Sequence, residues 1–101
     1  KRKIAMLGDM LELGDFTEEG HRQVGRILAE EGYSVVFTFG EAANFIAKEA
    51  KLAGLEVHRC NSHLEMANAY NDIREKGDVI LVKGSRGLRM ERVVEELKER
   101  E

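Results

Sequence analysis

The chain contains no proline and a single cysteine among its 101 residues. With Cys60 alone, no internal disulfide can form and no cysteine cluster can hold a metal, which favours a reducing compartment, the cytoplasm. No apolar run approaches the roughly 20 residues needed to cross a bilayer, so we expect no membrane insertion. The chain passes from Lys-Arg-Lys directly into an apolar segment, and we therefore expect no signal peptide.

An excess of basic charge is missing as well. The chain has 16 Lys and Arg against 19 Asp and Glu, which gives a net charge of −3. A general nucleic-acid binder needs a basic face that displaces counterions from phosphates, so no nucleic-acid partner is predicted. With 43% hydrophobic and 35% charged residues, the composition is typical of one soluble globular domain.

Two nucleotide-binding signatures are absent. The phosphate-binding pattern GxxxxGK[ST] does not occur, and "KGSRG" has its lysine before the glycine. The dinucleotide-binding pattern GxGxxG is missing too. We therefore expect no tightly bound nucleotide on these residues alone.

Four short apolar runs alternate with four helical patterns. The predicted strands are "IAML" at 4–7, "VVFTF" at 35–39, "LEVHRC" at 55–60 and "VILVK" at 79–83. The predicted helices are 17–31, 41–53, 63–76 and 89–99. Thr17 is a candidate N-cap, Ser62 and Glu65 form a candidate capping box, and Ile27 lies on the apolar stripe of the first helix. Gly32 is the expected stop of that helix.

This alternation predicts an α/β fold. We expect a Rossmann-like three-layer αβα domain with a mainly parallel sheet of about four strands, in the order 3-2-1-4. In that order the first and fourth strands are neighbours, and a crevice opens between them at their carboxyl ends. The loops that follow them, 7–16 and 83–90, should face each other across this crevice.

The second loop, "KGSRGLRM" at 83–90, is basic. Arg86 and Arg89 carry guanidinium forks suited to a carboxylate or phosphate, and Ser85 can donate. Gly84 and Gly87 allow positive φ and close approach by a ligand. A helix that begins near Arg89 would add its positive end. The alternative is that the arginines are ordinary surface charges paired with Glu91 or Glu12; that reading needs no ligand.

The first loop is acidic. Asp9, Glu12 and Asp15 could bind a cation, a ribose hydroxyl or an ammonium group, or they could be solvated loop charges. His21, on the first helix, is more typical of a packing residue than of a catalyst. His58 and His63 flank Cys60, but Cys-x-x-His is a weak metal signal without more ligands. Cys60 has no evident base partner, so a thiol nucleophile is not expected.

Three strings, in this order, resemble a known family: "IAMLGDMLELGDFTEEGHRQVG" at 4–25, "VVFTFGEAANFIA" at 35–47 and "VILVKGSRGLRMERVVEEL" at 79–97. They resemble the C-terminal domain of the Mur ligases, over essentially the whole chain, and within that family the branch that adds D-alanyl-D-alanine. The resemblance implies that 1–101 is the C-terminal domain of a longer enzyme whose N-terminal and central ATPase domains are absent here. It follows that the fragment should be inactive alone.

The resemblance also implies a reaction for the full-length enzyme. ATP, with Mg ions in the central domain, phosphorylates the terminal carboxylate of UDP-N-acetylmuramoyl-tripeptide. The amine of D-alanyl-D-alanine attacks the acyl phosphate, which gives an amide, ADP and phosphate in peptidoglycan precursor synthesis. The C-terminal domain would hold the incoming dipeptide and close over ATP, against the central domain.

Site residues are carried over by motif position. The resemblance places on the incoming-substrate side Lys83, Ser85, Arg86 and Arg89, with Ser85 nearest the dipeptide carboxylate. It gives a nucleotide-facing or loop-supporting role to Asp9, Glu12 and His21. No catalytic residue and no metal ligand are expected in the fragment. The competing hypotheses are a stand-alone Rossmann-type module that binds an anion or nucleotide without catalysis, and a non-catalytic interaction domain.

Overall fold

The computed structural model describes residues 1–10, 13–85 and 88–99. The strands are β1 (Lys3–Gly8), β2 (Val35–Phe39), β3 (Glu56–Cys60) and β4 (Val79–Lys83). The helices are α1 (Thr17–Glu30), α2 (Ala43–Leu52), α3 (His63–Ile73) and α4 (Glu91–Lys98). A 3-10 turn, Gly14–Phe16, leads into α1. The predicted alternation of strands and helices is therefore confirmed.

The four strands form one parallel sheet in the order β3-β2-β1-β4. Met6 in β1 is opposite Phe37 on one side and Val82 on the other. The predicted order 3-2-1-4 is confirmed, and β1 and β4 are neighbours. Because all strands run the same way, the loops after β1 and β4 leave from the same edge of the sheet.

The side chains of β1 alternate between two apolar clusters, one on each face of the sheet. Ile4 and Met6 pack with residues of α3 and α4, among them Met66 and Val93. Ala5 and Leu7 pack on the other face with residues of α1 and α2, including Leu28, Ile46 and Ala50. The three-layer arrangement is confirmed, and its two layers of helices explain why β1 is apolar at every position from 4 to 7.

A glycine sets the spacing between α1 and α2. A Cβ at Gly25 would lie 2.7 Å from the carbonyl oxygen of Ile46 and 2.7 Å from Cβ of Glu49. Only glycine permits this approach of the two backbones. Four residues earlier, on the same side of α1, His21 is fully buried. The string "HRQVG" thus places two residues on one face of α1: the buried His21, and Gly25, which packs against α2.

The predicted helix boundaries are partly right. The Ser62 hydroxyl accepts from the Glu65 amide at 3.0 Å, and the Glu65 carboxylate accepts from the Asn61 amide at 3.1 Å. The capping box is therefore present, but the Glu65 carboxylate bonds to the amide of Asn61 instead of the amide of Ser62. Gly32 has φ of +79° directly after α1, as expected for a helix stop.

Two expectations about α1 are wrong. Thr17 is the first residue of the helix rather than its N-cap, and its hydroxyl donates to the Gly14 carbonyl at 2.8 Å because the 3-10 turn brings that oxygen within reach. Ile27 is 44% exposed rather than buried. It borders an open apolar cavity of about 260 Å³ beside Leu28 and Leu81, so the stripe is incompletely covered on that side.

At the amino edge of the sheet, Asp78 joins three segments. Its carboxylate accepts from Arg2 Nε at 2.9 Å and Nη2 at 2.8 Å, from the Tyr70 hydroxyl at 2.8 Å and from the Glu75 amide at 3.0 Å. The Asp78 side chain is 3% exposed. This network fixes the entry into β1 against the connection between α3 and β4.

Within the part of the chain that the structure describes, no helix is long and apolar enough to span a membrane.

Candidate functional site

The loops that follow β1 and β4 are in direct contact at the carboxyl edge of the sheet. The Ser85 amide donates to the Asp9 carbonyl at 2.9 Å. The acidic and basic loops are therefore neighbours, as the strand order implied. Any ligand held by one of them lies beside the other.

Two glycines make this approach possible. A Cβ at Gly8 would lie 2.8 Å from Cδ1 of Leu88, and a Cβ at Gly84 would lie 2.8 Å from Cγ of Met90 and 3.2 Å from Cα of Gly8. Gly84 does not adopt a positive φ. The expectation that it supplies positive φ is wrong, since what approaches Gly84 is the first loop and the Met90 side chain. Gly87 lies outside the described residues.

A cleft of about 540 Å³ opens beside the second loop. Its lining mixes apolar side chains with the polar end of β4: Met10, Val82, Lys83, Gly84, Ser85, Met90, Glu91 and Val94. Lys83 is exposed at the end of β4, and Ser85 is half-buried. A volume of this size suits a small molecule that offers an anionic group to the loop.

Arg89 has an unusual backbone. Its φ is +51°, and it is the one residue other than glycine with positive φ in the described ranges. The helix α4 begins at Glu91, two residues after the predicted start at 89, because a left-handed residue cannot join a right-handed helix. The guanidinium Nε lies 3.9 Å from Oε1 of Glu91, and both side chains are more than 60% exposed.

The pairing of Arg89 with Glu91 was the alternative to anion binding. Exposed pairs of this kind contribute only about 0–1 kcal/mol. An incoming carboxylate could therefore replace Glu91 at small cost. Arg86, the other arginine of this loop, lies outside the described residues, and its predicted role stays a prediction.

The Asp9 side chain, just after β1, caps the N-terminus of α2. Its Oδ1 accepts from the Ala43 amide, the first residue of α2, at 2.6 Å. Gly40, with φ of +114°, makes room, since a Cβ there would collide with the Asp9 carboxylate. Asp15 is exposed in the 3-10 turn, and Glu12 lies outside the described residues. Asp9 thus connects the end of β1 with the start of α2, and its nucleotide-facing role stays a prediction.

The His21 side chain accepts a hydrogen bond from the backbone of the first loop. The Met10 amide donates to Nε2 at 2.9 Å, and Nδ1 lies 2.6 Å from the Thr17 carbonyl oxygen. An amide can only donate and a carbonyl can only accept, so Nδ1 carries the proton and both ring nitrogens are used. The side chain is fully buried. This geometry accords with a loop-supporting residue, and direct contact with a ligand would require the loop to move.

Sequence reasoning missed two anchors of the site. The first is the cap of α2 by Asp9; the signal was that "GEAA" offers no Ser, Thr, Asp or Asn of its own before α2. The second is His63, whose Nε2 lies 2.7 Å from the Leu88 carbonyl oxygen in the second loop. The sequence marks His63 only as a weak metal signal near Cys60 and as the start of a helix, and neither indicates a contact 25 residues away.

The described residues offer little to a nucleotide or metal by themselves. The amide at the start of α2 already binds the Asp9 carboxylate, so it is not available to a phosphate. Within 1–10, 13–85 and 88–99, no three His, Cys, Asp or Glu side chains are grouped to hold a metal ion. Burial raises the pKa of the Cys60 thiol to about 11, with a smaller contribution from Glu65, so it stays protonated at neutral pH. Among the described residues, neither the first amide of α2 nor a cluster of His, Cys, Asp and Glu side chains is therefore available to hold ATP or Mg.

Known proteins resemble the chain over nearly its whole length. It is 39% identical over 99 residues to UDP-N-acetylmuramoyl-tripeptide–D-alanyl-D-alanine ligase of Bacillus subtilis (strain 168), covering 95% of this chain and 21% of the relative. The enzyme of the same name from Synechocystis sp. (strain ATCC 27184 / PCC 6803 / Kazusa) is 30% identical over 97 residues, covering 96% and 21%. The chain thus spans about a fifth of the length of these curated relatives.

Solved structures share the fold. MurF ligase from Thermotoga maritima in complex with ADP superposes with a TM-score of 0.77 at 29% identity, over 99% of this chain and 23% of that one. MurF from Acinetobacter baumannii gives 0.80 at 27% identity, over 97% and 22%. The family model of the Mur ligase, glutamate ligase domain, matches residues 1–86. Because this model matches most of the chain, the chain belongs to the Mur ligase family, as its glutamate ligase domain.

Proposed function

We propose that the chain is the C-terminal domain of an ATP-dependent amide ligase that adds D-alanyl-D-alanine to UDP-N-acetylmuramoyl-tripeptide in the cytoplasm, during peptidoglycan precursor synthesis. The observation that carries the proposal is the contact between Ser85 and Asp9 beside an open cleft, which joins the basic loop to the carboxyl edge of the sheet. The curated relatives bear the name of this ligase.

The task of the domain in this reaction is to bind the incoming dipeptide by its carboxylate. Lys83 is an exposed cation that lines the cleft, and Arg89 is an exposed cation of the same loop, directly before the lining residue Met90. Ser85, which also lines the cleft, lies between them in sequence. Arg86, by its motif position, is the fourth member of this group. Charge-assisted hydrogen bonds to a carboxylate are about twice as strong as neutral ones. A dipeptide held at its carboxyl end presents its amine away from the loop, towards the rest of the enzyme.

Orientation is the catalytic contribution of such a domain. Holding an amine beside an activated carboxyl group removes much of the entropic barrier to bond formation, and this can be worth several kcal/mol, up to about 7–11. ATP and Mg would be held mainly by the remainder of the protein. Closure of the domain over that remainder would exclude water from the activated carboxyl group.

The test is steady-state kinetics of the full-length protein with Ser85→Ala and Arg89→Ala. We expect KM for D-alanyl-D-alanine to rise about tenfold to a hundredfold, the loss of one charge-assisted hydrogen bond, while KM for ATP changes less than about twofold. Arg92→Ala, which removes an exposed arginine of α4, is the matched control and should behave as wild type. Unchanged KM for the dipeptide in both variants would contradict the proposed site, and Arg86→Ala would extend the series.

A further inference from the structure

His63 connects the start of α3 to the basic loop. Its Nε2 lies 2.7 Å from the Leu88 carbonyl oxygen. Because a carbonyl can only accept, Nε2 carries the proton and donates. The ring is half-buried and packs against Phe39 at the end of β2, with ring centroids 5.0 Å apart. The side chain is thus held on one side by β2 and bonded on the other to a loop that follows β4.

The bond to Leu88 continues into the rest of the site. The Leu88 amide donates to the Ser85 carbonyl at 2.9 Å, and the Ser85 amide donates to the Asp9 carbonyl at 2.9 Å. The Asp9 carboxylate in turn accepts from the start of α2. A continuous line of hydrogen bonds therefore runs from α3 through both loops to α2, and His63 is its far anchor.

The Leu88 carbonyl also controls the backbone of Arg89. It belongs to the same peptide plane as the Arg89 amide, so holding it restricts rotation about the Arg89 N–Cα bond. Arg89 has a φ of +51°, a conformation that residues other than glycine adopt at a cost and keep only where the surroundings impose it. The hydrogen bond from His63 is one such constraint, applied directly beside the left-handed residue.

We propose that His63 is a positioning residue for the incoming substrate: it holds the peptide plane between Leu88 and Arg89, and through it sets Ser85 and Arg89 for the carboxylate. This inference rests on the proposed function. His63 acts through the loop and touches no reacting atom. Loss of its donor should therefore weaken use of the dipeptide without changing use of ATP.

The chain provides a matched control in His58. His58 stacks on Phe37 with ring centroids 4.8 Å apart, much as His63 packs on Phe39. Its Nε2 bonds to Glu56 of its own strand at 2.6 Å, and it makes no hydrogen bond to the described residues of the second loop. Both histidines thus pack on neighbouring aromatic residues of β2, and His63 alone bonds to Leu88.

The experiment compares His63→Leu, His63→Gln and His58→Leu in the full-length protein. Leucine keeps apolar contact with Phe39 but cannot donate; glutamine places an N–H at the same reach from the backbone as Nε2. We expect His63→Leu to raise KM for D-alanyl-D-alanine about threefold to tenfold, the loss of one neutral hydrogen bond. His63→Gln should recover wild-type behaviour to within about twofold, and KM for ATP should be unchanged throughout.

A second measurement tests the tether, which is the hydrogen bond from His63 to Leu88, independently of enzymatic activity. Hydrogen exchange followed by mass spectrometry should show peptides covering 83–90 exchanging several-fold faster in His63→Leu than in wild type, with His63→Gln and His58→Leu unchanged. Equal exchange in all four proteins overturns the inference, as does a dipeptide KM for His63→Leu equal to that of wild type. If wild-type protein forms no amide with D-alanyl-D-alanine, the proposed function fails, and the exchange data alone support or overturn the tether.

Discussion

The two edges of the sheet are built differently. At the amino edge, one carboxylate accepts four hydrogen bonds, two of them from a guanidinium fork, and is almost fully buried. At the carboxyl edge, the loops are held by single bonds between backbone groups, by two histidines and by a contact between glycines. The cations described at the carboxyl edge, Lys83 and Arg89, are exposed. The amino edge thus stabilises the fold, and the carboxyl edge leaves charged groups available to a ligand.

The pKa values of Asp78 and Tyr70 also indicate a structural role for the amino edge. The hydrogen bonds from the Arg2 guanidinium hold the pKa of Asp78 well below its usual range. Burial, followed by the bond to Asp78, raises the pKa of Tyr70 to about 12. Both groups therefore keep one protonation state across the neutral range. Charge at this edge is fixed, as expected for a structural network rather than a proton-transfer site.

The largest effect on stability is expected at Asp78. Asp78→Asn removes the charge that pairs with Arg2, and we expect the free energy of unfolding to fall by about 3 kcal/mol at neutral pH, the low end of the range for breaking a buried ion pair. Urea unfolding followed by circular dichroism measures it. Asp72→Asn, an exposed aspartate of α3, is the control and should change it by less than about 0.5 kcal/mol.

The same variant has a defined dependence on pH. The folded pKa of Asp78 is lowered, so its contribution is fully present above the unfolded pKa of about 4 and is lost as the pH falls towards the folded value. The difference in stability between wild type and Asp78→Asn should therefore shrink below about pH 4. A difference that stays constant between pH 7 and pH 2.5 would show that the carboxylate charge is not its cause.

The next effect is expected at the carboxyl edge, where Gly8 meets Leu88 and Met90. Gly8→Ala places a methyl group 2.8 Å from Leu88 Cδ1, and overpacking of this kind costs about 1–3 kcal/mol. Gly20→Ala is the control, because its Cβ, within a helix, would meet one atom, Leu13 Cδ1 at 3.2 Å, whereas at Gly8 the Cβ also meets Sδ and Cγ of the buried Met90, at 3.0 and 3.2 Å. That change should be neutral or stabilising by up to about 1 kcal/mol. Equal effects of the two substitutions would contradict the close contact.

A smaller loss is expected from Asp9. Asp9→Ala removes the cap of α2 and should lower the free energy of unfolding by about 1 kcal/mol. Asp9→Asn keeps an acceptor at Ala43 and should lose less. Asp15→Ala, an exposed acid of the same loop, should be nearly silent in the same unfolding experiment. A silent Asp9→Ala would mean that the bond to Ala43 contributes nothing to stability.

The smallest effect on stability is expected at Arg89. Arg89→Gly relieves the left-handed backbone but makes the unfolded chain more flexible, and these terms nearly cancel, leaving a change within about 0.5 kcal/mol. Use of the dipeptide should nevertheless fall as in Arg89→Ala. Stability and substrate use are measured on the same preparation. A large destabilisation would show that Arg89 stabilises the fold, as Asp78 does at the amino edge, and would contradict the distinction between the two edges.

Much of the fold could be predicted from local pattern. β2 and β4 are predicted to the residue, because each is a short, mainly apolar run, and a polar residue precedes it and a glycine follows it. The strand order follows from alternation and handedness. Helix starts are less predictable: the shift from Arg89 to Glu91 depends on one left-handed residue, and that conformation is imposed by contacts distant in sequence.

The site could be predicted in position but not in its connections. The sequence places Ser85 and Asp9 at one edge, and they are bonded there. It does not indicate that Asp9 caps α2 across Gly40, or that His63 reaches Leu88, because these bonds join residues 25 or more positions apart. Such pairs are fixed by the packing of whole elements, and no local propensity encodes them.

The close packing of Leu88 and Met90 against Gly8 has a consequence for how this sequence can change over time. A side chain at position 8 needs space that Leu88 and Met90 now occupy, so it becomes acceptable only when one of them shortens as well. Positions 8, 88 and 90 should therefore vary together among related chains, and a penalty from Gly8→Ala should be reduced when Leu88 is replaced by alanine in the same molecule.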